Sequence, residues 1–280
     1  MRPAFFMLCL SFACAGFACA GFACAASAAS PRSVFVEDLT WTEIRDAVAA
    51  GATTAIYYAG STEQNGPHMA TGKHNFVARH VAERVAAELG NALVYPVMPF
   101  APTGDARKRT GHMRFAGSVS VSEETFAAVA RDVALSARAA GFRHIVLMGD
   151  HGGGQQALAR IAEALDRQWA PGGPRVHYVA DVYYASEKRI AEYLALRGMT
   201  AGGHAGIPDT AELLFIDKGA KWVRLDRLAA FVPQDESLTG VDGDPRPATA
   251  ELGALFVGFK VEAAVTRIRQ LVSQGWRKSR

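Results

Sequence analysis

Thr53-Thr-Ala-Ile-Tyr-Tyr-Ala59 runs into Gly60-Ser-Thr-Glu-Gln-Asn-Gly-Pro-His68. From Phe76 the chain reads Phe-Val-Ala-Arg-His-Val-Ala-Glu-Arg-Val-Ala-Ala-Glu-Leu89, and after Gly90 it continues Asn91-Ala-Leu-Val-Tyr-Pro-Val-Met-Pro-Phe100. The first run is β-branched and aromatic, the composition that suits a strand. In the second, Val77, Val81, Val85 and Leu89 recur every four residues and share one helical face. The third, Ala92–Phe100, is apolar again and closed by prolines. Strand, polar loop, helix and strand in that order make a right-handed β-α-β unit with parallel strands.

The same alternation continues outward. Ser122, ahead of Glu123 and Glu124, reads as the N-cap of a helix running to about Ala140. His144–Met148 reads as a buried strand, Gln155–Trp169 as a helix and Val176–Ala180 as another strand. Ser186–Leu196 and Phe256–Val272 are helical. The fold predicted is α/β: a three-layer α/β/α sandwich with a mainly parallel sheet, in one domain spanning 33–280. No Ser/Pro-rich linker divides it.

Residues 1–28 read as a secretory signal peptide. Arg2 precedes an apolar run from Pro3 to Ala26 in which Phe-Ala-Cys-Ala recurs, and Ala26-Ser27-Ala28 forms a small-residue cleavage site. A membrane anchor is the competing reading, since roughly 20 apolar residues can cross a bilayer. The small-residue exit favours cleavage, which gives a periplasmic or secreted chain starting near Ala29, off the membrane. All four cysteines fall in this segment, so the mature chain has no disulfide to rely on. About 250 residues can bury a core large enough without one. Lys and Arg total 30 against 27 for Asp and Glu, with no dominant basic run. Nucleic acid is therefore not an expected partner, because phosphate binding needs a concentrated basic face.

Ligands of such sheets sit beyond the carboxyl ends of the strands. Three polar segments fall there: Gly60–His74, Gly149–Gln156 and Gly202–Glu212. Glu63 follows the first strand, with His68 and His74 in the same segment; carboxylate and imidazole together suit a hydrolytic zinc or manganese ion. The plainer alternative is a turn-capping Glu63 with solvated histidines. His151 lies in Gly149-Asp-His-Gly-Gly-Gly154, where glycines let the backbone approach a ligand closely. That loop does not fit Gly-x-Gly-x-x-Gly and no Walker lysine follows, so nucleotide binding is the weaker reading. In the third segment His204 is a candidate proton carrier, and Asp209 is a candidate ligand or a helix cap.

Glu63-Gln-Asn-Gly-Pro-His68 resembles the Glu-Gln-His-Gly-Pro-His signature of the creatininase (creatinine amidohydrolase) family. Gly149-Asp-His-Gly-Gly-Gly154 resembles its Asn-Gly-His-Gly-Gly-Asn, and Phe115-Ala-Gly-Ser-Val-Ser120 its Phe-Pro-Gly-Thr-Ile-Ser. His204-Ala-Gly206, Gly243-Asp-Pro245 and Ala248-Thr-Ala-Glu251 are similar to its His-Ala-Gly, Gly-Asp-Pro and Ala-Thr-Ala-Glu. The matches keep family order from about Leu39 to Val272.

The resemblance implies a metal-dependent hydrolase of a small cyclic amide or related non-peptide C–N bond, and a homo-oligomer, often a hexamer. It also implies a pair of divalent ions, but the pattern departs from the family's. Asn65 stands for the family's first His, Gly72-Lys-His74 for its Gly-Thr-Asp, and Ile207-Pro-Asp209 for its Glu-x-Glu. Without the bridging aspartate, the expectation is one ion per chain, zinc before manganese or iron. Glu63, His74 and His151 would hold it, with Asp209 as a further candidate. His204 would carry the proton, and His112, placed where the family has a His before Phe-Pro-Gly-Thr, would line the pocket. The alternatives are lactone or ester hydrolysis on the same site, and an inactive periplasmic binding homologue.

Overall fold

The computed structural model describes residues 32–219 and 221–278, so the stretch 1–28, read above as a signal peptide, lies outside the described residues. In chain order the main elements are α1 (Trp41–Ala49), β1 (Thr54–Ala59), α2 (Lys73–Leu89), β2 (Ala92–Val94), α3 (Glu123–Ala139) and β3 (His144–Gly149). Then come α4 (Gln155–Trp169), β4 (Arg175–Tyr178), α5 (Tyr184–Ala195), α6 (Ile207–Ile216), α7 (Leu225–Ala229), α8 (Glu236–Thr239) and α9 (Ala250–Lys278).

The strands form one sheet in the order β2-β1-β3-β4, and every pairing is parallel. All six side chains of β1 are buried, because helices cover both faces. Ile56 and Tyr58 pack with Val77, Val81 and Val85 of α2 and with Val257, Val261 and Val265 of α9. Ala55, Tyr57 and Ala59 face the opposite way, against Phe126 and Ala130 of α3 and Leu158 and Leu165 of α4. The i, i+4 valines of α2 are fully buried, and each contributes roughly 1.5–3 kcal/mol of apolar burial. This is the three-layer sandwich the periodicity predicted.

The boundaries differ where polar residues hide an element. Helix α2 begins at Lys73, behind Gly72, rather than at Phe76. Lys73 and His74 therefore lie on its first turn and not in a loop. Asp209 likewise sits in the first turn of α6. Strand β2 stops at Val94 instead of reaching Phe100, because Pro96 and Pro99 have no N–H for a ladder; Met98 keeps only an isolated bridge to Ala59. Helix α9 starts at Ala250, before Phe256, and continues past Val272.

Candidate metal centre

The chain leaves β1 at Ala59 and, within four residues, carries Glu63 into the interior, where it is 0 % exposed. Beside it, the chain leaves β3 at Gly149 and presents Asp150 and His151. The turn after His151 needs its glycines: a Cβ on Gly153 would collide with the Pro102 carbonyl and with the His151 ring, and Gly154 has a φ of 89°. A short 3₁₀ turn over Gly111–Arg114 brings in His112, and the segment ahead of α6 brings in His204.

Four imidazoles converge on this one carboxylate. Glu63 Oε1 is 3.1 Å from His74 Nε2, 3.8 Å from His112 Nε2 and 3.9 Å from His204 Nδ1. Glu63 Oε2 is 2.8 Å from His151 Nε2 and accepts from the Ser61 hydroxyl at 3.2 Å. Burial works to raise the Glu63 pKa, but hydrogen bonds from His151 and His74 prevail and hold it well below the usual carboxylate range.

The partners of each ring assign its tautomer. His74 donates Nδ1–H to Asp150 Oδ2 at 2.8 Å, which turns its Nε2 toward Glu63. Gln64 sets two rings at once. Its backbone carbonyl accepts from His204 Nε2–H at 2.9 Å, leaving His204 Nδ1 as an acceptor. Its side-chain amide donates to Gly240 O at 3.0 Å and to His112 Nδ1 at 3.1 Å, leaving the proton on His112 Nε2. Burial lowers the His204 pKa to about 4 and also lowers that of His112, so both are neutral near pH 7. His151 Nδ1 has both the N–H and the carbonyl of Gly153 in reach, at 2.9 and 3.3 Å, so either tautomer is satisfied.

A layer of ion pairs stands behind the rings. Lys260, from the middle of α9, donates to Asp150 Oδ1 at 2.9 Å and to Glu212 Oε2 at 2.7 Å. One ammonium cannot neutralise two buried carboxylates equally. Asp150, desolvated but next to Lys260 and His74, is held down at about 2, whereas burial pushes Glu212 up to about 7. Lys73 donates to Asp209 Oδ1 at 2.7 Å, and the other Asp209 oxygen accepts from Ala205 N–H at 2.7 Å.

Of the residues singled out in the sequence, Glu63, His74 and His151 come together, and so do Glu63, His112 and His204; within each group one ligand atom per residue lies within 4.8 Å of the others. Asp209 does not join either group, because Lys73 and Ala205 occupy its oxygens. His68 is buried elsewhere, 2.9 Å from the Thr210 hydroxyl. Sequence reading missed Gln64, Lys73, Lys260 and Glu212 as members of the site. Gln64 carried a signal as part of the Glu63–His68 motif, and Lys73 and Glu212 lay within two of the three polar segments, whereas Lys260 carried none.

The donor set fits a divalent ion. His74 Nε2 and His151 Nε2 lie 3.1 and 2.8 Å from the two oxygens of Glu63, so one carboxylate and two imidazole nitrogens are gathered where a single ion could be held once the rings give up their protons. Carboxylate plus imidazoles is the donor set of hydrolytic zinc. A carboxylate ringed by imidazoles at the carboxyl ends of parallel strands is an arrangement that could hold a divalent ion.

The chain belongs to the creatininase family: the family model described as creatinine amidohydrolase matches residues 37–271. It is 33% identical over 257 residues to the creatinine amidohydrolase of Pseudomonas putida, covering 85% of this chain and 97% of that protein. It is 27% identical over 247 residues to the mycofactocin precursor peptide peptidase of Mycobacterium tuberculosis (strain CDC 1551 / Oshkosh), covering 77% and 84%. Among solved structures, a mutant creatininase described as Zn-Zn type superposes with a TM-score of 0.67 at 25% identity, over 85% of this chain and 98% of that one. The class that follows is metal-dependent amidohydrolase.

Proposed function

We propose that this enzyme hydrolyses the C–N bond of a small cyclic amide, using one zinc ion held by Glu63, His74 and His151. The observation that carries the reading is the Glu63 carboxylate with His74 and His151 at 3.1 and 2.8 Å, one on each oxygen. Nitrogen-rich donors favour zinc over manganese, which prefers oxygen ligands. When bound, such an ion polarises the substrate carbonyl and makes water a competent nucleophile near neutral pH.

The remaining groups have complementary protonation. His112 presents Nε2–H on the Glu63 side and can donate to the oxyanion as the carbonyl carbon becomes tetrahedral. His204 presents an unprotonated Nδ1 and can take the proton of the attacking water. It then returns that proton to the leaving nitrogen as the C–N bond breaks. The ring opens to a carboxylate and an amine, with no cofactor consumed. Lactone hydrolysis uses the same groups and differs only in the leaving atom.

We further propose cleavage near Ala29, export to the periplasm or beyond, a single domain over 33–280 and a homo-oligomeric assembly. Within the described residues no helix is long and apolar enough to cross a membrane.

Purified mature protein, loaded with zinc, manganese or iron(II), tests the activity against paired panels of five- and six-membered lactams and lactones. Appearance of a free amine with zinc-loaded protein supports the proposal. A metal-free protein, or turnover of lactones alone, rejects it.

A further inference from the structure

Lys73 is a lysine with 1 % side-chain exposure, on the first turn of α2. Its Nζ is 2.7 Å from Asp209 Oδ1 and 3.0 Å from His74 Nε2. A cation is rarely buried so completely unless its charge is matched. Here the match is Asp209, whose other oxygen accepts from the N–H of Ala205, the residue after His204 of the second group, Glu63–His112–His204.

The charges around the centre can be counted. Asp150 and Glu212 share Lys260, and Asp209 is paired with Lys73. Among the described residues Glu63 is bonded to imidazoles and the Ser61 hydroxyl, so it is the carboxylate there that has no lysine partner. The pocket nevertheless gathers a second group, Glu63–His112–His204, beside Glu63–His74–His151, which would take an ion once His112 Nε2 gives up its proton. Among the described residues the second group has no anion of its own. Its only carboxylate is the one the first group uses, and two divalent ions at a given distance repel four times as strongly as two unit charges.

We infer that Lys73 is a built-in cation that fixes the capacity of this centre at one divalent ion, by neutralising Asp209 and so denying the second group its carboxylate. The inference rests on the proposed metal site and names the residue that sets its stoichiometry. Ion binding at His74 Nε2 displaces Lys73 from that nitrogen but leaves its bond to Asp209, so the ammonium stays inside the centre.

Zinc stoichiometry and affinity, measured by chelator competition and elemental analysis, test this without any substrate. Wild type is expected to hold one zinc per chain, Lys73→Met two and Lys73→Arg one. The double variant Lys73→Met/Asp209→Asn should return to one, because the released carboxylate is gone. If Lys73→Met fails to fold, Asp209→Asn gives the second route. It frees Lys73 to compete for His74 and should weaken zinc at least tenfold, and adding Lys73→Met should restore the affinity. Lys73→Met staying at one ion with unchanged affinity overturns the inference, as does a double variant holding two. So does an Asp209→Asn defect that Lys73→Met cannot repair, since Asp209 would then be a ligand. A wild-type chain holding no zinc would reject the proposed centre alone. The role of Lys73 would then stand or fall on whether Lys73→Met gains an ion.

Discussion

Replacing Lys260 by Met should be the most damaging single change behind the centre. The Lys260 ammonium is buried, and it is bonded to Asp150 at 2.9 Å and to Glu212 at 2.7 Å. Methionine fills a similar volume, so packing changes little and the loss is electrostatic. Two carboxylates are left facing each other inside the protein with no lysine between them. Removing one partner of a buried pair costs about 3–5 kcal/mol. At ~2–4 °C per kcal/mol for a domain of this size, Tm should fall by roughly 6–20 °C. The damage should also reach the metal, because Asp150 orients His74 through its Nδ1–H, and loss of such support weakens binding by roughly 10–100-fold. Thermal melts of the metal-free protein and zinc competition measure the two effects separately. Lys260→Met/Glu212→Gln should recover part of the stability, since the remaining Asp150 is still held by His74 and by Tyr58. A single variant melting within about 2 °C of wild type would show that these charges are solvated in practice, and the reasoning would fail.

Glu63→Ala and His151→Ala should each lose zinc while staying folded, because both sit in loops after their strands and not in the packed layers; full zinc content in either variant would reject the ligand assignment. His204→Ala should keep its zinc and lose roughly 10²–10⁴-fold in kcat, as expected of a proton carrier, and a normal kcat would remove that role. Stability should decline as pH rises from about 4.5 to about 7, because burial raises the Glu212 pKa to about 7 and the folded state holds a proton in that window that the unfolded chain has released. Glu212→Gln should flatten that part of the stability–pH curve, and an unchanged slope would place the effect elsewhere.

The layers of the sandwich were legible because burial is periodic. Val77, Val81 and Val85 mark the face of α2, and the all-buried β1 reads as one apolar run. Helix starts were less legible, because the first turns of α2 and α6 carry Lys73, His74 and Asp209, which contribute no apolar repeat. Glu63, His112, His151 and His204 could be found from their loops and motifs. Their relation to one another could not, since the contact between Glu63 and His204 spans two segments far apart in the chain.

The lysines were hidden for a different reason. Lys260 sits at a helix position whose neighbours, Phe259 and Val261, are buried, and in sequence a lysine there reads as a solvated break in an apolar face. Its meaning appears only when α6 brings Glu212 and β3 brings Asp150 to the same place. Lys73 was equally opaque, because its partner Asp209 lies 136 residues away. Yet these two ammonium groups govern how much negative charge the centre has left for a metal. Ligand motifs show which atoms can bind an ion. How many ions bind depends on uncompensated charge, and that is a property of the packed structure.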